Sequence, residues 1–136
     1  MGAWGVDSFG NDDAADWAFG LDESHDLHLV EETLSRATVG SEEYLEAPVA
    51  SEAVAAAEAV ARLRGPAGES TGYSDSVDRW VARVGKPPSE AVVRLAIRAL
   101  DRIVAPDSEL RELWEDSEDF AAWTDAIREL RGRLVA

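Results

Sequence analysis

The sequence predicts an all-α protein, a bundle of about six or seven helices in one domain spanning residues 1–136. Apolar residues recur at steps of three and four along every long segment, which is the spacing of a buried helix face. Capping residues, glycines and prolines mark the boundaries between these segments. No convincing strand alternation and no internal repeat accompanies them. With 136 residues and 46% hydrophobic composition, the chain has the size of a single domain.

The chain opens with a glycine-rich strap, residues 1–10, which carries Trp4 and Phe9 between glycines. Glycine permits a tight backbone path, and an aromatic ring buries a large apolar area. We therefore expect both rings to pack on the core, with a ligand pocket beneath the strap as the alternative. Asn11 is the predicted cap of the first helix, Asp12 to Leu21.

The other helices are predicted from the same periodicity and capping signals. They cover residues 26–39, about 51–64, 74 or 75 to 84, 89 to about 105, a short stretch from 107, and a last segment from 117 or 118. The alanine-rich third helix is placed centrally, because small side chains allow neighbouring helices to approach closely. Glycine and proline follow it, so residues 65–73 are expected to be the main flexible loop.

Composition restricts the class of protein. The chain has no cysteine, which excludes disulfides, thiolate metal sites and a cysteine nucleophile. Its formal net charge of -15 disfavours binding to nucleic acid or to anionic lipid. Neither a secretory signal nor a membrane span is predicted, so the expected location is the cytoplasm. The abundance of Ala, Val and Arg, with Lys86 as the only lysine, points to a GC-rich bacterial source.

The negative charge is concentrated in the N-terminal part of the chain. Residues 1–60 contain 14 acidic residues and one basic residue, Arg36, a net charge of -13. Residues 61–136 contain 14 acidic and 12 basic residues, a net charge of -2. The N-terminal part is therefore expected to present an acidic face.

The N-terminal sequence resembles a known family. The residues that carry the resemblance are Met1-Gly2-Ala3-Trp4-Gly5 and the run from Phe9 to Trp17, FGNDDAADW. They resemble the opening of a bacterial family catalogued as domain of unknown function 4259. Further similarity lies at Leu45 to Pro48, in the alanine-rich run 53–61 and at residues 108–115, so the resemblance covers essentially the whole chain. It supports the helical fold and implies no activity or catalytic residue.

The aspartates at the start of the first helix are the first candidate site. Asp12, Asp13 and Asp16 follow Asn11 and lie near the positive end of the helix dipole, where acidic residues stabilise a helix. Capping is the favoured interpretation, and a functional acidic patch is the alternative. The spacing does not fit a calcium-binding loop, which needs a glycine at its sixth position and a glutamate at its twelfth.

Charged residues elsewhere have structural interpretations. Glu58 interrupts an apolar run and is expected to pair with Arg62 four residues later. His25 and His28 are three residues apart and lack the spacing of a zinc protease. The loop at 65–72 lacks the Gly-Lys-Ser/Thr ending of a phosphate-binding loop.

Three basic residues form a ridge at helical spacing. Arg94, Arg98 and Arg102 follow one another at steps of four and could bind an anion. Neutralisation within the chain, by Glu90 and Asp101 of the same helix or by acids of the N-terminal half, is the favoured interpretation.

Three functional hypotheses follow. The leading one is a small acidic regulatory or protein-binding module, like an immunity protein or inhibitor, that contacts a basic protein partner. A hydrolase that uses carboxylates, with or without a metal, is the first alternative, and its candidate residues include Glu46. A structural oligomerisation module, suggested by the apolar stripe from Phe120 to Leu134, is the second. The sequence assigns no catalytic, cofactor-binding or metal-binding residue and no oligomeric state. The candidate functional surface consists of Trp4, Asn11, Asp12, Asp13, Asp16, Glu46 and Glu58.

Overall fold

A computed structural model describes residues 12–24, 26–38, 44–65 and 75–135. These residues form seven helices and no strand. The helices are α1 Asp12–Leu21, α2 His28–Thr38, α3 Ala47–Arg64, α4 Asp75–Val84, α5 Glu90–Ile103, α6 Glu109–Glu115 and α7 Phe120–Val135. The predicted all-α bundle is confirmed. The N-terminal strap of residues 1–10, with Trp4 and Phe9, lies outside the described residues, as do Asn11 and positions 66–73 of the expected loop.

The bounds of α1 and the start of α5 agree with the sequence, whereas the start of α2 differs. Helix α1 has the predicted bounds, and Ser89 caps α5 by accepting a hydrogen bond from Val92 N at 3.3 Å. Helix α2 begins two residues later than predicted, because the carboxylate of Asp26 accepts a hydrogen bond from His28 N at 3.0 Å. Such an acceptor placed before the first turn ends the preceding loop and starts the helix.

Two predicted helix starts were wrong because distant parts of the chain set them. Helix α3 begins at Ala47, one turn before Ser51, with Pro48 in its first turn, where a missing N–H costs no helical bond. The cap of α6 is Ser108, not Asp107. Asp107 instead has a positive φ of 67°, which an aspartate tolerates, and its carbonyl turns toward α3.

Backbone pairing joins the starts of α3 and α6. Leu45 N donates to Asp107 O at 2.8 Å, and Glu109 N donates to Leu45 O at 2.8 Å. Glu109 Oε1 also accepts a hydrogen bond from Ala47 N at 2.7 Å, which satisfies one of the unpaired donors of α3. We call residues 44–47 and 107–112 together the clasp. It holds two segments more than sixty residues apart in a fixed register.

Helix α3 is the centre of the fold and contacts each of the other six helices. Between positions 50 and 62 every residue except Glu52 is buried. The alanines of this run present little more than backbone to their neighbours, so helices pack on all sides of α3. The predicted central position of this helix is therefore confirmed.

The core around α3 contains large side chains from the surrounding helices. Trp80 is fully buried, and its indole N–H donates to Asp26 O at 3.0 Å. The indole N–H of Trp17 donates to Thr33 Oγ1 at 2.8 Å. The polar group of this buried ring therefore has a hydrogen-bond partner. Trp114 and Trp123 stack with ring centroids 6.2 Å apart.

The apolar stripe of α7 belongs to this core. Trp123, Ile127, Leu130 and Leu134 are all buried within the chain itself, and Phe120 is half-buried against them. This burial accounts for the stripe without a second copy of the protein. The observation on which the oligomerisation hypothesis depended is thus explained by the fold.

Enlarging a buried alanine of α3 is expected to destabilise the protein. Ala56 is fully buried, and Ala56→Leu adds volume where neighbouring helices leave none. The free energy of unfolding, measured by urea titration, should fall by about 1–3 kcal/mol. Ala121→Leu makes the same change at an exposed position of α7 and should alter it by less than about 0.5 kcal/mol. Equal effects would contradict the central packing of α3.

Candidate functional site

The candidate residues of the sequence fall into separate environments. Asp12 and Asp16 are exposed on α1, and Asp13 is half-buried beside them. Glu46 is exposed at the residue before α3 and makes no side-chain cap there. Glu58 is buried in the middle of α3, with 3% of its surface exposed. Trp4 lies outside the described residues, so its predicted role stays a prediction.

Glu58 is the centre of a buried ionic network. Arg62 Nε donates to Glu58 Oε2 at 2.9 Å, so the predicted pair four residues apart is confirmed. Arg133, from the end of α7, donates to both carboxylate oxygens at 2.9 and 2.6 Å. Arg62 also pairs with Asp78 of α4 at 2.8 Å, and Arg133 Nε lies 2.8 Å from Glu129 Oε2. One carboxylate thereby ties α3 to α7 directly and to α4 through Arg62.

This arrangement keeps Glu58 ionised. Burial raises the pKa of the Glu58 carboxyl, but the hydrogen bonds and charges of Arg133 and Arg62 outweigh burial, so its pKa lies below the ordinary value. Two arginines that donate to a single carboxylate are the geometry in which a buried charge is tolerated. A general acid or base needs a pKa near the working pH, which this environment does not give. Glu58 therefore has a structural role in this fold.

A second ionic cluster holds the end of α1. Arg79 and Arg83 of α4 both pair with Asp22, at 2.7 and 3.3 Å, and lower its pKa chiefly through the Arg79 hydrogen bond. Arg83 also donates to the carbonyls of Leu21, Asp22 and Ser24 at 3.2, 2.9 and 3.0 Å. The carbonyls lie at the end of α1 and in the turn after it, where the cation also opposes the negative end of the helix dipole. Asp22 is thus neutralised within the fold.

Other acidic residues of the N-terminal part have no basic partner. Asp12, Asp16, Glu23 and Glu31 are exposed on α1, on α2 and in the turn between these helices, and none of them makes an ion pair with any described residue. We call these four residues the acidic surface. Phe19, which is 53% exposed, also lies on α1, three residues after Asp16. These four acids are exposed, and the single acidic face that the charge distribution predicts stays a prediction.

The half-buried acids of the same region have a basic residue nearby. Burial is the main cause that raises the pKa of Glu52, and the nearby Asp13 carboxylate raises it further. Arg36 of α2 lies 3.7 Å from Glu52 and acts in the opposite direction. Arg36, the single basic residue among positions 1–60, is therefore placed against Glu52 of α3 and near Glu32 of its own helix, not against the acidic surface.

The metal and anion interpretations gain no support from the described residues. Within residues 12–24, 26–38, 44–65 and 75–135, no three His, Asp or Glu side chains converge as metal ligands would. His28 lies 3.6 Å from Glu32, and His25 is outside the described residues.

The predicted neutralisation of the arginine ridge on α5 was wrong in its partner. Asp101 pairs with Arg131 of α7 at 2.8 Å instead of with its own helix. Arg102 donates to the carbonyls of Pro106 and Asp107, while Arg94 and Arg98 make no ion pair with the described part of the chain.

Several residues that organise the site were not found from the sequence. Arg133 and Glu58 are 75 residues apart, and Arg79 and Asp22 are 57 apart. No local spacing connects such pairs, since only the packing of the helices brings them together. Tyr44, whose hydroxyl donates to Glu112 Oε1 at 2.5 Å across the clasp, belongs to the same group.

The part of the chain that the structure describes is thus a bundle of seven helices with a buried ionic centre and exposed acids on α1 and α2. The family model described as Domain of unknown function (DUF4259) matches residues 2–126. The chain belongs to this family, as the N-terminal resemblance predicted. No curated protein and no solved structure matches the chain. No helix among the described residues has the length and apolar character that crossing a membrane requires.

Removing the charge of Glu58 is expected to destabilise the protein strongly. Glu58→Gln leaves Arg62 and Arg133 without their shared carboxylate, and breaking such a buried pair should lower the free energy of unfolding by about 3 kcal/mol. Glu129→Gln is the matched control, because Glu129 pairs with the same Arg133 while 62% of its side chain is exposed. It should cost less than about 1 kcal/mol. Chemical denaturation of both variants decides the comparison, and equal losses would contradict a buried role for Glu58.

The same carboxylate should make stability depend on pH in a defined window. Its pKa is lowered in the folded state from the ordinary value of 4.5, so its contribution is present above that value and is lost as the pH falls through the folded pKa. The difference in unfolding free energy between wild type and Glu58→Gln should be constant from about pH 7 to 5 and shrink below about 4.5. A difference that grows on acidification would show that burial, not the arginines, controls this group.

Proposed function

We propose that this protein is a small cytoplasmic regulatory or protein-binding module that contacts a basic protein partner, in the manner of an immunity protein or inhibitor. The observation that carries the proposal is the acidic surface, four exposed carboxylates on α1, α2 and their turn that make no ion pair with the residues the structure describes. Uncompensated charge of one sign attracts a partner of the opposite sign and accelerates association.

Part of the acidic charge on the other helices is paired within the chain. In α5, α6 and α7, Asp101, Glu115, Asp125 and Glu129 each pair with an arginine of the chain. Pairing within the chain reduces the field that such acids present to a partner. In the sequence, the net charge is -13 for residues 1–60 and -2 for residues 61–136.

The carboxylate hydrolase stays an untested alternative. Its candidate residues lie in different environments, with Asp12 and Asp16 exposed on α1 and Glu58 buried between arginines. No observation on the described residues favours it over a binding function.

Capture from a bacterial lysate at low ionic strength, followed by mass spectrometry, should recover a basic protein that is released as salt is raised. The association rate of that protein is then measured with the variant Asp12→Asn, Asp16→Asn, Glu23→Gln, Glu31→Gln. Because this variant removes the attracting charges, the rate should fall about ten-fold or more at low salt.

A control variant with the same change in net charge tests whether the position of the acids matters or only their total number. Glu90→Gln, Asp116→Asn, Glu118→Gln and Asp119→Asn neutralise four exposed acids on α5 and in the turn before α7. This control should slow association much less than the α1 and α2 variant. Failure to recover any basic protein, or equal effects of the two variants, would refute the proposal.

A further inference from the structure

The clasp presents apolar surface to solvent. Tyr44 and Leu113 are 50% and 52% exposed, and they are two of the four large hydrophobic residues that are exposed in the described part of the chain. Leu113 lies on α6 four residues after Glu109, on the same helix face. That glutamate bonds to Ala47 N, three residues after Tyr44. We call Tyr44, Glu109, Glu112 and Leu113 the Tyr44 surface.

The Tyr44 side chain is hydrogen bonded across the clasp. Its hydroxyl donates to Glu112 Oε1 at 2.5 Å, and the next residue, Leu45, forms a bridge with Ser108. A side chain that is already ordered loses less conformational entropy when a partner binds to it. Tyrosine is also among the residues that contribute most to protein interfaces. The Tyr44 ring is thus exposed while its hydroxyl and the neighbouring backbone are hydrogen bonded.

The electrostatic environment of the ring is strongly negative. The hydrogen bond to Glu112 is the main cause that raises the pKa of Tyr44 to about 12, and the charges of Glu109 and Asp107 add to it. None of these three carboxylates makes an ion pair with the described residues. The neighbouring Arg111 does not compensate them, because it pairs with Glu115 and lies over the Phe120 ring at 5.9 Å.

An aromatic face beside carboxylates that make no ion pair with the described residues is complementary to an arginine side chain. The guanidinium group is planar, stacks on aromatic rings and donates to carboxylates through a fork of N–H groups. A metal ion is the poorer fit, since no group of three acidic or histidine side chains in the described ranges is placed to hold one. The chain itself uses the same chemistry where Arg111 covers Phe120.

We propose that the Tyr44 surface binds an arginine side chain of a basic protein partner, with the guanidinium over the Tyr44 ring and hydrogen bonded to Glu112 or Glu109. This inference rests on the proposed function, which supplies the basic partner. It adds a specific contact, away from the acidic surface on α1 and α2, at which one residue of that partner is recognised.

The test uses the full chain, labelled with ¹⁵N, and two probes, N-acetyl-triarginine amide and the matched trilysine peptide. Saturable shift changes are expected at the amides of residues 44–47 and 109–113, with tighter binding of the arginine peptide. Tyr44→Leu should weaken arginine binding about two- to five-fold, the range of an exposed cation–π contact. Glu112→Gln should weaken it as well, because one carboxylate is lost. Phe19→Leu removes an exposed aromatic ring beside the acids of α1 and should leave these shifts unchanged.

Two results would overturn the inference: shifts confined to α1 and α2, or equal affinities of wild type and Tyr44→Leu. Circular dichroism checks that the variants are folded, and if Tyr44→Leu is not, the shift pattern of the wild-type chain decides. The proposed function can fail separately. Arginine binding at Tyr44 without any captured partner would refute the function alone, whereas a captured partner that depends on the acidic surface and not on Tyr44 would refute this inference alone.

Discussion

The burial of α3 is the constraint on which the rest of the structure depends. A helix that contacts six neighbours has no side left for solvent, so its residues must be small or apolar, and any charge must be neutralised inside. The alanines satisfy the first requirement. Glu58 and Arg62 are the exceptions, and their burial obliges α4 and α7 to supply Asp78 and Arg133. The ionic network thus fixes which helices lie beside the middle of α3.

The same logic divides the charges of the protein into two groups. Carboxylates that meet arginines across helix contacts, such as Glu58, Asp22 and Asp101, hold the fold together. Asp12, Asp16, Glu23 and Glu31 make no ion pair with the described residues. The single basic residue of positions 1–60, Arg36, lies against Glu32 and Glu52 instead. The first group explains how helices are positioned, and the second group is available to a partner. The proposed binding function follows from this division.

The contacts of the clasp that start α3 also hold an exposed tyrosine near carboxylates. A positive φ at Asp107 directs its carbonyl to Leu45 N, and Glu109 then caps α3 from another helix. Tyr44 is exposed here, near Glu112, Glu109 and Asp107, and these acids make no ion pair with the described residues. The Tyr44 ring and its neighbouring carboxylates are thus brought together by contacts that also start helix α3.

The sequence by itself determined the helical class, the placement of α3 at the centre and the Glu58–Arg62 pair, because periodicity, capping and four-residue spacing are local properties of a chain. It also identified the family from its first residues. It misplaced the starts of α3 and α6 and predicted the wrong partner for Asp101, since Glu109, Asp107 and Arg131 act across helices. Only the tertiary structure showed that two arginines share Glu58, that the stripe of α7 is core, and that Tyr44 is set among carboxylates. These features depend on which helix faces meet, and no spacing along the sequence encodes that choice.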